Sequence, residues 1–274
     1  MHKPILYDSH MHTPLCNHAK GEPEEYAAVA ELLGLKGIIF TCHNPIDDSR
    51  WGRGRMRVDQ LDTYVRIVAR AREAWAGRVD VRLGLECDYA PGMEPWLNKL
   101  LRKAEFHHIL GSVHPHNPRY KERFFHGNMI EFQKTYFEHL AMAAETRLFD
   151  TISHPDLVKN VSPPEWNPDN IMDAIGRSLD RIAAAGTAME LNTSGLNKKV
   201  PEMNPGPNIL AEMRKRNIPV VVNSDAHKPE RVADKFDEAF KLLSQAGYTH
   251  TNIFLNRERH EIPIDIAQTS LLIP

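Results

Sequence analysis

The segment YDSHMHTPLCNH puts Asp8, His10, His12, Cys16 and His18 between positions 7 and 18 of a 274-residue chain. Imidazole mixed with carboxylate is a donor set for Zn²⁺, Mn²⁺ or Fe²⁺, whereas Mg²⁺ and Ca²⁺ prefer oxygen alone. In an extended segment, residues two apart point to the same side, so His10 and His12 can grip one ion. The same residue types recur downstream: His43 in TCHNP, Glu86 in GLECDY, His114 in GSVHPHN, His154 in SHPDL, and Asp225 and His227 in NSDAH. Seven histidines and two carboxylates exceed the four ligands of one tetrahedral ion. Two or three ions are implied, with a carboxylate such as Glu86 able to bridge a pair.

Residues so far apart in the chain need a scaffold that gathers them. Apolar runs of strand length occur at 4–8, 37–41, 81–86, 108–113, 150–153, 188–192 and 220–224, with a weaker eighth at 252–256. Helical stretches lie between them. The first, EPEEYAAVAELLG, has Pro23 near its start and Gly34 at its end. In the second, Val58, Leu61, Val65 and Val68 recur at three and four, which predicts a buried helix face. Strand–helix alternation repeated seven or eight times predicts a parallel sheet with helical crossovers. Over this length, closure into one α/β barrel domain (1–274) leaves fewer exposed edges than an open sheet. Each metal-capable residue then falls at the carboxyl end of its strand, where a barrel builds its active site, with His18 on the following loop. Satisfied core histidines or scattered surface ones would have no reason to share that address.

Composition narrows the function classes. A formal charge of −2 gives no electrostatic reason to expect polymeric nucleic acid or an acidic membrane as partner. No run of about 18 apolar residues is present, and the N-terminus lacks the apolar core of a signal peptide. Three cysteines, Cys16, Cys42 and Cys87, cannot all pair, and a reducing cytoplasm is the simplest expectation. Oligomeric state leaves no mark in the sequence.

The ordered set DSHMH, His18, TCHNP, GLE, GSVH, SHPD and SDAH resembles the PHP (polymerase and histidinol phosphatase) family. Within it the chain resembles the monofunctional histidinol-phosphate phosphatase branch. The likeness extends to GLECDYAPG, FDTISHPDLVK, ELNTSG and FDEAFKLLSQAGY. What the resemblance implies is a distorted TIM-like (β/α)7 barrel, helices outside, holding three divalent ions (Zn, Mn or Fe). It assigns His10, His12, Glu86 and Asp225 to the first ion, Glu86, His114 and His154 to the second, and His18, His43 and His227 to the third. The implied reaction is hydrolysis of a phosphomonoester by metal-activated hydroxide, with L-histidinol phosphate the expected substrate. Glu86 and Asp225 are the expected catalytic carboxylates, Asp225 as general acid or base. The alternatives are another small phosphorylated metabolite, such as a nucleotide or sugar phosphate, and a regulatory or metal-storage barrel without turnover.

A phosphate ester also needs cations. DSRWGRGRMR places Arg50, Arg53, Arg55 and Arg57 after the second strand, either as an anion gate or as a solvated basic loop. NTSGLNKKVP offers Ser194, Lys198 and Lys199 near the mouth. Related chains usually carry an arginine soon after TSGL, where this one has Asn197, and lysine lacks arginine's bidentate fork. The segment HPHNPRYKERFFHG is shorter than the family's substrate loop and lacks its Trp/Gly-rich stretch. His116 reads as a ligand alternate, a substrate contact or an exposed residue. Cys16 and Cys42 sit beside the ligands, as thiolates for zinc or, more simply, as small buried apolar residues. Trp51 and Tyr89 are expected in packing or against a substrate ring. His107 and His108 are expected to be structural; His126, His139, His250 and His260 are expected at the surface.

Overall fold

The computed structural model describes residues 4–46 and 54–272. Its chain order is β1 (Tyr7–Asp8), α1 (Pro23–Leu32), β2 (Gly37–Phe40), α2 (Leu61–Ala74), β3 (Asp80–Leu83), β4 (Leu85–Asp88), α3 (Glu94–Leu100), β5 (Ile109–Ser112), α4 (Pro118–Phe124) and α5 (Met129–Glu145). There follow β6 (Thr151–Ile152), α6 (Met172–Ala185), β7 (Ala188–Asn192), α7 (Pro207–Lys215), β8 (Val220–Asn223), α8 (Phe236–Gln245), β9 (His250–Leu255), β10 (Glu258–Pro263) and α9 (Ile264–Thr269). No helix among the described residues is long and apolar enough to cross a membrane.

Two parallel sheets, β1-β2-β3 and β4-β5-β6-β7-β8, form the staves. Single parallel bridges join their rims, Met11 to Ala226 at one seam and His43 to Glu86 at the other. β3 and β4 are two halves of one stave, so the eight parallel strands make a distorted seven-stave TIM-like barrel. Apart from β3, its strands are buried on both faces, which is why GIIF, ILGS, AMELN and VVVN read as continuous runs rather than alternating ones.

The expected strand at 81–86 is divided at Gly84, where the stave changes partner from β2 to β5. A Cβ there would lie 2.5 Å from the His108 carbonyl oxygen and 2.6 Å from Thr41 Cγ2, so only glycine permits the two neighbours to close in. The eighth run does not join the parallel ring; β9 pairs antiparallel with β10, Leu255 opposite Glu258. The second helix turns its face differently from expectation. Leu61, Tyr64, Val68 and Ala71 are buried, while Val58 lies in a short 3-10 turn before the helix and is 42% exposed.

His139 is also a correction. It is buried on α5, 5% exposed, and its Nδ1 accepts from the Tyr120 hydroxyl at 2.7 Å. The run YFEHLAM gave no hint of this, because the partners that cover the ring, Tyr120 and Phe124, come from α4. Burial pushes its pKa down from 6.5 to about 4. Between those values the unfolded chain takes up a proton that the folded chain refuses, so stability falls as pH drops. The full shift corresponds to roughly 3 kcal/mol. His139→Gln should therefore flatten part of the acid limb: urea unfolding at pH 7 and 4.5 should show a smaller loss in the variant than in the parent. Equal losses would mean His139 titrates freely.

Candidate metal centre

The carboxyl ends of the staves meet at one rim. His10 and His12 follow β1, His43 follows β2, Glu86 lies in β4, His114 follows β5, His154 follows β6, and Asp225 and His227 follow β8. His154 and Asp225 adopt left-handed backbone, with φ of 29° and 52°, unusual for residues with a side chain and frequent at functional sites.

Glu86 is the hub. Its Oε1 lies 2.8 Å from His154 Nε2 and 3.4 Å from His114 Nε2, and accepts from Ser112 Oγ at 2.6 Å. Its Oε2 lies 2.6 Å from His43 Nδ1, 3.6 Å from His10 Nε2 and 3.7 Å from His12 Nε2. Asp225 Oδ1 faces the same pair, 3.6 Å from His10 Nε2 and 3.2 Å from His12 Nε2. Farther out, His18 and His227 bring their Nε2 atoms within 2.8 Å of one another, and the His227 ring stacks on His12 at 4.0 Å. All nine strand-end and loop residues named from the sequence thus come together. His43 lies closer to Glu86 than to His18, whose ring is 5.5 Å from its own.

These residues suit cations. The Nε2 atoms of His10 and His12, Nδ1 of His43 and Oε2 of Glu86 are buried yet make no hydrogen bond, a costly state for polar atoms unless something else satisfies them. Three groups of three, His10–His12–Glu86, His43–Glu86–His114 and His12–His43–His227, keep their donor atoms within 4.8 Å of one another. Burial alone would depress the His10 pKa, but the carboxylates of Glu190, Asp225 and Glu86 outweigh it and hold it well above 6.5. Burial likewise works against ionised Glu86, and the surrounding imidazoles of His43, His10 and His114 reverse that and keep it well below the usual carboxylate range. The cluster attracts positive charge, protons included.

Carboxylates that the sequence reading passed over hold these imidazoles. Glu190 accepts from His10 Nδ1 at 2.7 Å, and Asp88 from His114 Nδ1 at 2.6 Å. Such second partners fix the tautomer and aim of a ligating ring. Their sequence signal was an acid inside an otherwise apolar strand, in LECD and AMELN. Asp8 is buried too, accepting from the Ser224 and Ala233 main-chain N–H groups, which ties the first stave to the last.

The rim opens into a cavity of about 930 Å³, the size of a small-molecule site. Lys198, Lys199 and His116 line it. Lys198 Nζ is 3.5 Å from Asp225 Oδ2, and Lys199 and His116 are exposed. Ser194 Oγ donates to Asp225 Oδ2 at 3.0 Å or Asn192 Oδ1 at 2.7 Å. Arg55 also lines the cavity, but its guanidinium is committed to Asp88, with Nη2 2.7 Å from Oδ1 and Nε bonded to Oδ2. Arg57 pairs with Asp59 on the exterior. Arg53, with Arg50 and Trp51, lies outside the described residues. Cys16 and Cys42 are fully buried; Cys42 Sγ accepts from Thr13. Tyr89 is core, its hydroxyl donating to Glu94 at 2.8 Å, and His108 is structural, bonded to Thr151.

A model of the PHP domain matches residues 8–194. The protein named "Probable histidinol-phosphatase" from Deinococcus radiodurans is 37% identical over 251 residues, covering 88% of this chain and 94% of that one. The histidinol-phosphatase of Bacillus subtilis is 24% identical over 266 residues, covering 85% and 97%. A crystal structure of histidinol phosphate phosphatase from Lactococcus lactis, complexed with zinc, L-histidinol and phosphate, has the same fold, with a TM-score of 0.77 at 17% identity over 93% of this chain and 98% of that one. A family match over more than half the chain and a relative alike over nearly all of it agree with the rim of imidazoles and carboxylates: the chain belongs to the PHP domain family.

Proposed function

We propose that this protein hydrolyses L-histidinol phosphate to L-histidinol and phosphate with three divalent ions, zinc, manganese or iron. The observation that carries the reading is Glu86, one buried carboxylate with imidazoles crowding both of its oxygens at the floor of a metabolite-sized cavity. The ligands would be His10, His12, Glu86 and Asp225 for the first ion, Glu86, His114 and His154 for the second, and His18, His43 and His227 for the third. The 37% identity to a histidinol-phosphatase over nearly the whole chain supports the substrate.

Bound ions would supply hydroxide near neutral pH and neutralise phosphoryl charge. The oxygen–phosphorus bond forms as the ester bond breaks, and the departing alkoxide takes up the proton that the attacking water gave up on becoming hydroxide. Lys198 and Lys199, on the cavity wall, would draw in the dianionic phosphate. Burial favours the neutral form of Asp225, but His10 and Lys198 outweigh it and keep the carboxylate ionised, the state in which it would hold the first ion and could take up a proton. Ser194 holds its second oxygen in place.

Protein loaded with each metal should be assayed on L-histidinol phosphate, p-nitrophenyl phosphate, nucleotides and sugar phosphates. The expected kcat/KM for L-histidinol phosphate exceeds the rest by on the order of 100-fold or more. Preference for a nucleotide or sugar phosphate would replace the substrate. Failure on every ester with metal bound would favour a barrel without turnover.

A further inference from the structure

Glu190 has no part in the chemistry above, yet it touches two of the strand-end positions at once. It is fully buried in β7. Its Oε1 accepts from His10 Nδ1 at 2.7 Å and from Asn223 Nδ2 at 2.8 Å. Its Oε2 accepts from the His154 main-chain N–H at 2.8 Å and from Asn192 Nδ2 at 2.9 Å. Four donors and no solvent leave this carboxylate one position to occupy.

Each contact has a consequence at the rim. With Nδ1–H donated to Glu190, Nε2 is the atom the His10 ring would offer to an ion, and it faces Glu86 and Asp225 without a hydrogen bond. His154 sits on left-handed backbone, and Glu190 Oε2 satisfies the N–H of that same residue. The strained turn aims His154 Nε2 at the opposite oxygen of Glu86, 2.8 Å away. Asn223 extends the network to the first stave, its Oδ1 accepting from the Ser9 N–H at 2.9 Å and hydroxyl at 2.8 Å.

We infer that Glu190 is a positioning residue that sets two metal positions together, the one His10 faces and the one His154 faces. The inference rests on the metal-centre reading above. An acid buried only to stabilise the barrel would affect folding and leave metal affinity alone. One that aims two ligands couples the occupancy of both positions.

Glu190→Gln keeps an oxygen acceptor and removes the charge; Glu190→Leu removes both. Metal-free protein should be titrated with Zn²⁺ alone against a chromophoric chelator, with circular dichroism verifying the fold. For Glu190→Gln, two equivalents should weaken together by about tenfold or more, with Leu worse than Gln if it folds. Unchanged affinity in a folded Gln variant, or weakening of a single equivalent, overturns the inference. A parent protein that binds no zinc overturns instead the metal reading on which it stands, and the inference with it.

Discussion

Replacing Glu86 with glutamine should lower kcat by about 1,000-fold or more, a loss of ~4 kcal/mol in transition-state stabilisation. The side chain keeps its volume and can still accept from Ser112 Oγ, so the fold has no reason to collapse. What disappears is the charge on which His43, His154, His114, His10 and His12 converge from both sides. An amide offers one neutral oxygen where the carboxylate offered two anionic ones, and its nitrogen would face imidazoles that need an acceptor or a cation. Two proposed metal positions share this residue, so metal content should fall as well as rate. Elemental analysis of the purified variant should show at least one ion per chain lost relative to the parent. A variant that keeps a tenth of the turnover would remove Glu86 from the mechanism.

The site was legible because strand periodicity and residue type are both local. A histidine or acid at the carboxyl end of an apolar run is visible in the run itself, and His10, His43, Glu86, His114, His154 and Asp225 all announced themselves in that way. The alternation pointed to seven or eight staves, the resemblance to the PHP family implied seven, and parallel pairing followed from strands without a polar face. What stayed hidden depends on contacts between distant segments. The break at Gly84 is imposed by the His108 carbonyl and the Thr41 side chain. His139 is buried by Tyr120 and Phe124 of a short helix that apolar periodicity did not reveal. β9 looked like a weaker further stave because Ile253, Phe254 and Leu255 form a short apolar run, but the turn at Asn256 and Arg257, both at positive φ, leads the chain back antiparallel along β10. Glu190 and Asp88 lay inside strands, and nothing local tells an acid that braces an imidazole from one that pairs with a cation.

Arg55 lines the cavity, but what its guanidinium meets there is a buried carboxylate. The sequence left the arginine loop either as an anion gate or as a solvated basic loop. The Arg55 side chain is 9% exposed and locked to Asp88, itself 1% exposed. Burial would push the Asp88 carboxyl up, but the Arg55 guanidinium and the His114 imidazole overcome that and hold it below the usual range. Asp88 then keeps His114 Nδ1 at 2.6 Å, and Arg55 Nη2 approaches the same atom at 3.1 Å. Arg55→Met fills much of the volume but leaves a buried carboxylate without its counter-ion. Breaking such a pair from one side costs about 3–5 kcal/mol, because the surviving charge stays in a low-dielectric site. Urea unfolding at fixed metal concentration should show that loss, and Arg55→Met combined with Asp88→Asn should recover most of it, since no charge then remains unpaired. Turnover should stay low in the double variant, because asparagine gives His114 a weaker brace. If Arg55→Met instead raised KM at unchanged stability, the guanidinium would be contacting substrate, and the pairing with Asp88 would not be what places it on the cavity wall.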